Sequence, residues 1–422
     1  MGGAFGATLG QAGGPKEKGL SRRFRRYLEK VYRLSEKVEG FHDDRQDPRI
    51  STASCFFASF FMFVHGERSL LAFDQRWRRE DRRARWRKVF HSPPPSDDAM
   101  AYCDERFHLE ELRQLLHHLY TTLQRNHVLD QFTLEGFRAA ALDGHELFAS
   151  YDRHCPECLT RTVNTKQGPQ TQYYHSIVLA QIVGGPFALP LDLEPLRPGE
   201  NEIAPALRLL TRLCQNYPKA FDLITGDGMY ANPQILRFLR AHHKHLLAVL
   251  KDNHPDLLAD AKALFAERQP LESTEGKTEL ERWDLDGFTT WPQAAETVRV
   301  IRSRETKPAK AGLTLHDWFW VTTCDQQQAP TNRVCRFGHK RWDVENQAFN
   351  YLVNYLHFDH CFHHHPTAIT AFALTDLIAY LLLQAFYFLN LKPQLQRQLS
   401  LLSSIHELAA DFWANLLPLD SS

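Results

Sequence analysis

An aspartate set inside an apolar strand constrains this chain more than any other feature. Residues Ala139-Ala140-Ala141-Leu142-Asp143-Gly144-His145-Glu146-Leu147-Phe148 run apolar up to Asp143 and alternate after it. A carboxylate in a central strand is costly to bury unless it is paired or bound to a metal. On its own, such an aspartate also fits a turn or a sheet edge. A second one, Asp227, closes Phe221-Asp222-Leu223-Ile224-Thr225-Gly226-Asp227-Gly228. Its flanking glycines permit close backbone approach, and α/β sheets place ligands at the C-terminal ends of strands. The alternative is a loop aspartate closing an Asx-turn. Glu345 lies in Arg341-Trp342-Asp343-Val344-Glu345-Asn346, where an i,i+4 ion pair with Arg341 on a solvated face is the competing reading. If the fold gathers the three acids, they form an all-oxygen pocket suited to Mg²⁺. The matching chemistry is phosphodiester hydrolysis or transfer by two metal ions.

A chain of 422 residues is expected to form two to three domains with ample core. Its 50 basic and 50 acidic side chains cancel, which argues weakly against nucleic acid as a partner when charge is averaged. The charge is segregated, however. Residues 68–88 hold eight Arg and one Lys against three acids, and residues 255–286 hold nine acids against four Lys/Arg. Such sorting is compatible with one face meeting phosphates. The 8 cysteines follow no disulfide framework. No signal peptide is visible. The apolar run Ala53–Val64 is too short to span a bilayer, and Leu377–Asn390, which carries Gln384 and Asn390, reads as a buried helix. The expectation is a cytoplasmic, reduced protein with no membrane association.

Along the chain, residues 1–20 are Gly-rich and expected to be mobile. Helices are expected over Arg22–Lys37, Ser51–Val64, Ser69–Arg87 and Asp97–His118, the last capped by Ser96 or Asp97 after a proline tract. From about 138 the pattern changes to strands: Arg138–Tyr151 and Leu159–Val163 as a hairpin, with Tyr173–Val183 meandering beside them. A helix Pro205–Gln215, a strand Phe221–Thr225, a helix opened by Asn232-Pro233 and a strand Leu246–Leu250 follow. Residues 255–335 read as an insertion with strands at Thr297–Ser303 and Trp318–Thr323. Helices then dominate, at roughly Lys340–Leu356, Ala368–Asn390 and Leu401–Leu416. The fold class is α/β, a mixed sheet.

A strand meander with an acid on its first strand, an acid after the fourth strand and an acid on a later helix resembles the ribonuclease H-like fold of DDE transposases and integrases. The likeness is nearest to insertion-sequence transposases with a Tyr-Arg-Glu-Lys signature around the last acid. Arg341 and Glu345 keep the Arg-to-Glu spacing; Gly338 stands where the Tyr would fall and Leu352 where the Lys would. The long interval from Asp227 to Glu345 matches transposases with a β-rich insertion before the final helix. Leu70-Leu71-Ala72-Phe73-Asp74 and Pro95-Ser96-Asp97 add weaker matches, and the resemblance covers roughly residues 50–390. It implies four parts: a helical, basic DNA-binding region over 1–135, the first part of a ribonuclease H-like catalytic core over 136–254, a β-rich insertion over 255–335, and the final acidic helix with C-terminal helices over 336–422. It further implies Asp143, Asp227 and Glu345 as catalytic ligands of Mg²⁺, with Mn²⁺ able to substitute. DNA would be the partner, as transposon ends and target, with a homodimer assembled on it. A transposase-derived DNA-binding protein without cleavage activity and a metal-dependent endonuclease stand as the other readings.

Cys155-Pro156-Glu157-Cys158 is one Cys-x₂-Cys knuckle at a hairpin tip. A structural zinc needs four ligands. Neighbouring His154, Cys335, or the run Cys361-Phe362-His363-His364-His365 could complete the set, and a tight turn of reduced thiols is the alternative. Arg82, Arg83, Arg85 and Arg87, interleaved with Trp77 and Trp86, are candidates for DNA phosphates, as are Lys251, Lys340 and Arg341; ordinary surface charge is the competing reading for all of them. Trp283 or Trp291 could stack on an unpaired base, though packing of the insertion explains them as well.

Overall fold

A computed structural model describes residues 19–294, 296–309 and 312–414. The Gly-rich start of the chain and the end of the last expected helix lie outside these residues. Among the described residues, ten strands form one sheet: β1 (Ala139–Ser150), β2 (Leu159–Thr165), β3 (Gly168–Val183), β4 (Leu189–Pro195), β5 (Leu223–Gly226), β6 (His245–Val249), β7 (Leu271–Glu275), β8 (Thr278–Phe288), β9 (Val298–Ala309) and β10 (Gly312–Thr322). The order is β2-β3-β1-β5-β6-β10-β9-β8-β7, with β4 also paired to β3. Around β1 the antiparallel run β4-β3-β1 passes into the parallel pair β5-β6. This is the mixed ribonuclease H-like sheet expected from the sequence.

The meander is wired differently from the expectation. β2 does not form a hairpin with β1. The sixteen-residue β3 lies between them, pairing β1 along one edge and, along the other, β2 with its first half and β4 with its second. The third strand of the central meander is therefore β4, which the sequence reading left unassigned. Its Pro190, Asp192, Glu194 and Pro195 look like loop residues, yet Asp192 and Glu194 are buried. Arginines from the two flanking helices make that tolerable. Asp192 meets Arg113 at 3.2 Å and Arg212 at 2.7 Å, and Glu194 meets Arg208 and Arg212 at 2.6 Å each. Buried charge survives where it is paired and hydrogen-bonded.

The strands expected within 255–335 are present as parts of β9 and β10, joined by β7 and β8. They extend the central sheet, because Trp320, Val321 and Thr322 of β10 pair Val249, Ala248 and Leu247 of β6.

The helical ends of the chain share one core with the sheet. Three of the helices expected in the N-terminal part are broken. Arg22–Lys37 becomes Leu20–Tyr27, a wide-wound Leu28–Tyr32 and, past left-handed Arg33, Leu34–Glu39. Ser69–Arg87 becomes Leu70–Trp77 and Glu80–Phe90, and Asp97–His118 becomes Asp97–Asp104 and Leu109–Arg125. Ser96 is the cap, its hydroxyl accepting from the Ala99 N–H at 3.2 Å. The Asn232-Pro233 start is also present, with Asn232 Oδ1 accepting from the Gln234 N–H at 2.8 Å. Helix Thr52–Val64, almost wholly apolar and buried, packs on Pro366–Ala385, while Leu20–Tyr27 packs on Leu401–Ala414. The span Pro366–Asn390 is long and apolar enough to cross a membrane, but its apolar window is 100% buried inside the fold. It is the core helix that the sequence suggested.

Candidate active site

Backbone register brings the first two acids together. In the parallel pair, Ala139, Ala140 and Ala141 of β1 oppose Leu223, Ile224 and Thr225 of β5. Carried two residues further, the same register sets Asp143 opposite Asp227, just past the end of β5. Asp143 does sit inside a strand that is fully buried up to Leu142, and Asp227 follows the last residue of β5.

Glu345 comes from a helical stretch that is wound wide. Residues Val344–Phe349 and Leu352–Leu356 form π-type turns, a geometry that is rare and often found at functional sites. This stretch lies against β1, where the Phe349 ring stacks on His145 with centroids 4.4 Å apart. Asp343, just before it, accepts the Gly184 N–H at 2.9 Å, and Tyr380 donates to the Gln347 carbonyl at 2.5 Å. β3 and the core helix thus hold the segment in place. Arg341 does not lie on a solvated face. It is 5% exposed, its guanidinium sits over the Trp342 ring, and its Nη1 is 3.8 Å from Asp143 Oδ2.

A fourth carboxylate, which the sequence reading missed, belongs to the same group. Glu202 immediately precedes helix Ile203–Asn216. It accepts a hydrogen bond from the Tyr230 hydroxyl at 3.1 Å and lies where a Cβ on residue 144 would be. Gly144 is therefore the space that admits Glu202 beside Asp143. Its only sequence signal was that glycine after the strand acid.

The charges respond to one another. Burial pushes Asp143 up to about 6; nearby Arg341 opposes the shift, while Glu202 and Glu345 reinforce it. Glu202 is also raised, by burial and by the charge of Asp227, against the Tyr230 hydrogen bond. Asp227 moves the other way. Burial works to raise it, but the Lys251 hydrogen bond at 2.7 Å, the Gly228 N–H and the charge of Arg341 together lower it. The cluster thus has more carboxylate than cation. Its donors are all oxygen, which fits hard divalent ions such as Mg²⁺.

A family model described as the transposase DDE domain matches residues 161–382, just over half of the chain. The chain belongs to that transposase family. No curated protein matches it. The matched span includes Asp227 and Glu345 and begins after Asp143.

The transposase's other singled-out residues are scattered. Lys251 is the Asp227 partner, and Lys340 lies 3.7 Å from Asp343. Arg82, Arg83 and Arg85 are half-buried and Arg87 is exposed, all on helix Glu80–Phe90. Arg82 stacks over Trp413, and Arg87 pairs with Glu80 at 2.9 Å. Trp77 and Trp86 are core residues whose ring centroids are 4.7 Å apart. Trp283 and Trp291 are buried too, so neither offers a face to a base. At the signature positions, Leu352 is fully buried, and a side chain at residue 338 would run into the Trp320 indole, about 2.5 Å from a Cβ there.

Proposed function

We propose that this transposase cleaves the ends of its own element and transfers the freed 3′-hydroxyl to target DNA, with Asp143, Asp227 and Glu345 holding two divalent ions. The observation that carries the reading is the level placement of Asp143 and Asp227 on neighbouring parallel strands, with Glu345 close enough for its charge to act on Asp143. When bound, the ions would activate the attacking oxygen and stabilise the leaving one.

The chain's own residues orient the reaction. Asp143 is held within β1, and Asp227 follows β5 directly, tied by its ion pair with Lys251. Glu345 is braced by the Phe349–His145 stack and the Asp343–Gly184 bond. Arg341, fixed beneath Asp143, limits the repulsion among the acids before substrate arrives. Lys251, about half exposed and paired with Asp227, can turn to DNA phosphates, as can the half-exposed Lys340 near Asp343. Water, and later the DNA 3′-hydroxyl, serves as nucleophile, so no side-chain nucleophile is required. The Arg82, Arg83, Arg85 and Arg87 helix would meet the DNA backbone further away, in an assembly of two chains on the two ends.

The test is to incubate the full chain with DNA from the flanks of its own gene plus Mg²⁺ or Mn²⁺ and to map the cut ends. Cuts at the element boundaries, followed by joining of 3′ ends to target, are expected. Cutting in excess chelator would sink the two-ion mechanism. Cuts never joined to target would make it an endonuclease, and end binding without cutting would make it a DNA-binding protein derived from a transposase.

A further inference from the structure

Past the C-terminal end of β1 lies a second group of ligands. Residues 151–158 link β1 to β2, and because β3 lies between those strands, the link arches over it. Cys155 and Cys158 sit in this arch, and His175 of β3 lies beneath them. His364 arrives from the segment between the wide-wound Glu345 stretch and the core helix Pro366–Ala385. The two sulfurs are 3.7 Å apart. His175 Nε2 is 3.3 Å from Cys155 Sγ and 3.2 Å from Cys158 Sγ, and His364 Nε2 is 3.2 Å from Cys158 Sγ. All four ligand atoms lie within 4.8 Å of one another. The other residues that could have completed the site do not join it. The His154 ring stacks on Tyr173, 4.7 Å away, and Cys335 is buried in helix Thr331–Lys340. Of the run 361–365, it is His364 that joins.

We propose that Cys155, Cys158, His175 and His364 bind one structural Zn²⁺ that clamps the β1–β2 arch to the segment leading out of the Glu345 stretch. The spacing supports a single tetrahedral ion. With Zn–S near 2.3 Å and Zn–N near 2.0–2.1 Å, tetrahedral ligands stand roughly 3.8 Å apart between sulfurs and roughly 3.5 Å between sulfur and nitrogen. The four contacts just given lie within a few tenths of an ångström of these, and every ligand pair lies within 4.8 Å. Two thiolates with two imidazoles suit zinc, whereas a carboxylate set would suit Mg²⁺. Convergence on one point also separates the site from a two-iron cluster, in which the cysteine and histidine pairs bind different irons. A thiol pair kept for disulfide exchange would not account for two imidazoles at hydrogen-bond distance from the same sulfur. Cys158 and His175 are buried, and four protein ligands leave no open position, the mark of a structural rather than a catalytic zinc.

The clamp joins residues 206 positions apart in sequence. Cross-links that close long loops remove much chain entropy from the unfolded state. This site would therefore fix the outgoing end of the Glu345 segment without touching the acids. It does not depend on the catalytic reading.

The test is metal analysis of the full chain purified without chelator and dialysed against Mg²⁺-free buffer. About one zinc per chain is expected. Co²⁺ replacement should give the intense visible bands of a tetrahedral ion with thiolate-to-metal charge transfer. The variants Cys158→Ser and His364→Ala should lose the metal and unfold at lower temperature; His154→Ala and Glu345→Gln should keep it. Wild-type protein without zinc, an octahedral cobalt spectrum, or full zinc occupancy in His364→Ala would each overturn the proposal. The wild-type measurements hold even if a cysteine variant fails to fold.

Discussion

Asp143 lies in β1 and Asp227 just past β5, their side chains 25% and 38% exposed, and the charge of Glu345 acts on Asp143. Cys155, Cys158, His175 and His364 meet past the end of β1, with Cys158 and His175 buried. The first group is hard, negatively charged and open to solvent; the second is soft and closed. Their supports differ as well. The aspartates are placed by strand register, while the sulfurs sit in a turn and depend on a histidine from 206 residues away. An open oxygen cluster can exchange ions and admit a phosphate, whereas a closed sulfur–nitrogen cluster can only hold. On the proposed reading, the first group would serve turnover and the second would serve as a permanent clamp.

The sharpest way to break this contrast is to remove one oxygen ligand. Asp143→Asn, Asp227→Asn and Glu345→Gln should each lower end cleavage more than a thousandfold, about 4 kcal/mol of barrier, while end binding persists. Cleavage assays beside mobility shifts will show this, and a loss of less than about tenfold would remove that residue from the mechanism.

A smaller effect should appear with pH. Asp143 titrates at about 6 in the fold, above its ordinary 3.8. Between those values the folded protein holds a proton that the unfolded chain has released. Stability from this group is thus present at low pH and falls as pH rises through about 4 to 6. A divalent ion needs the ionised form, so Mn²⁺ affinity should fall by about tenfold or more from pH 7 to about pH 5, one pH unit below the Asp143 midpoint. Calorimetric titrations at the two values will test it; a flat response would mean that Asp143 is not a ligand.

The same buried charge predicts a gain in stability. Asp143→Asn should raise unfolding free energy at pH 7, without added divalent ions, by on the order of 1 kcal/mol. Denaturant unfolding is the measurement, and a clear loss would contradict the raised Asp143. The smallest effect belongs to Glu202→Gln. Removing that neighbouring charge should shift the pH midpoint of Mn²⁺ binding downward by less than a unit, read from the same titrations.

Much of this was legible in the chain. The apolar run before Asp143 marked a buried strand because alternation stops where both faces are covered. Asn232-Pro233 and Ser96 marked helix starts through local chemistry. The core helix announced itself by length and apolarity. The order of acids and elements pointed to the transposase family. The β4 strand was not legible, because its acids read as loop until Arg113, Arg208 and Arg212 meet them from distant helices. Gly338 showed only a missing tyrosine, and Trp320 of β10 supplies the reason by filling that space. His175 looked like one histidine among 22, and Glu202 drew no notice ahead of the helix expected from Pro205. Sequence by itself determined what local rules govern: periodicity, caps, glycine positions and the chemical types of the ligands. Tertiary structure alone decided which strand lies between which, and so which side chains meet, because partners 20, 80 or 200 residues apart are chosen by the packing of the whole chain and not by any neighbouring residue.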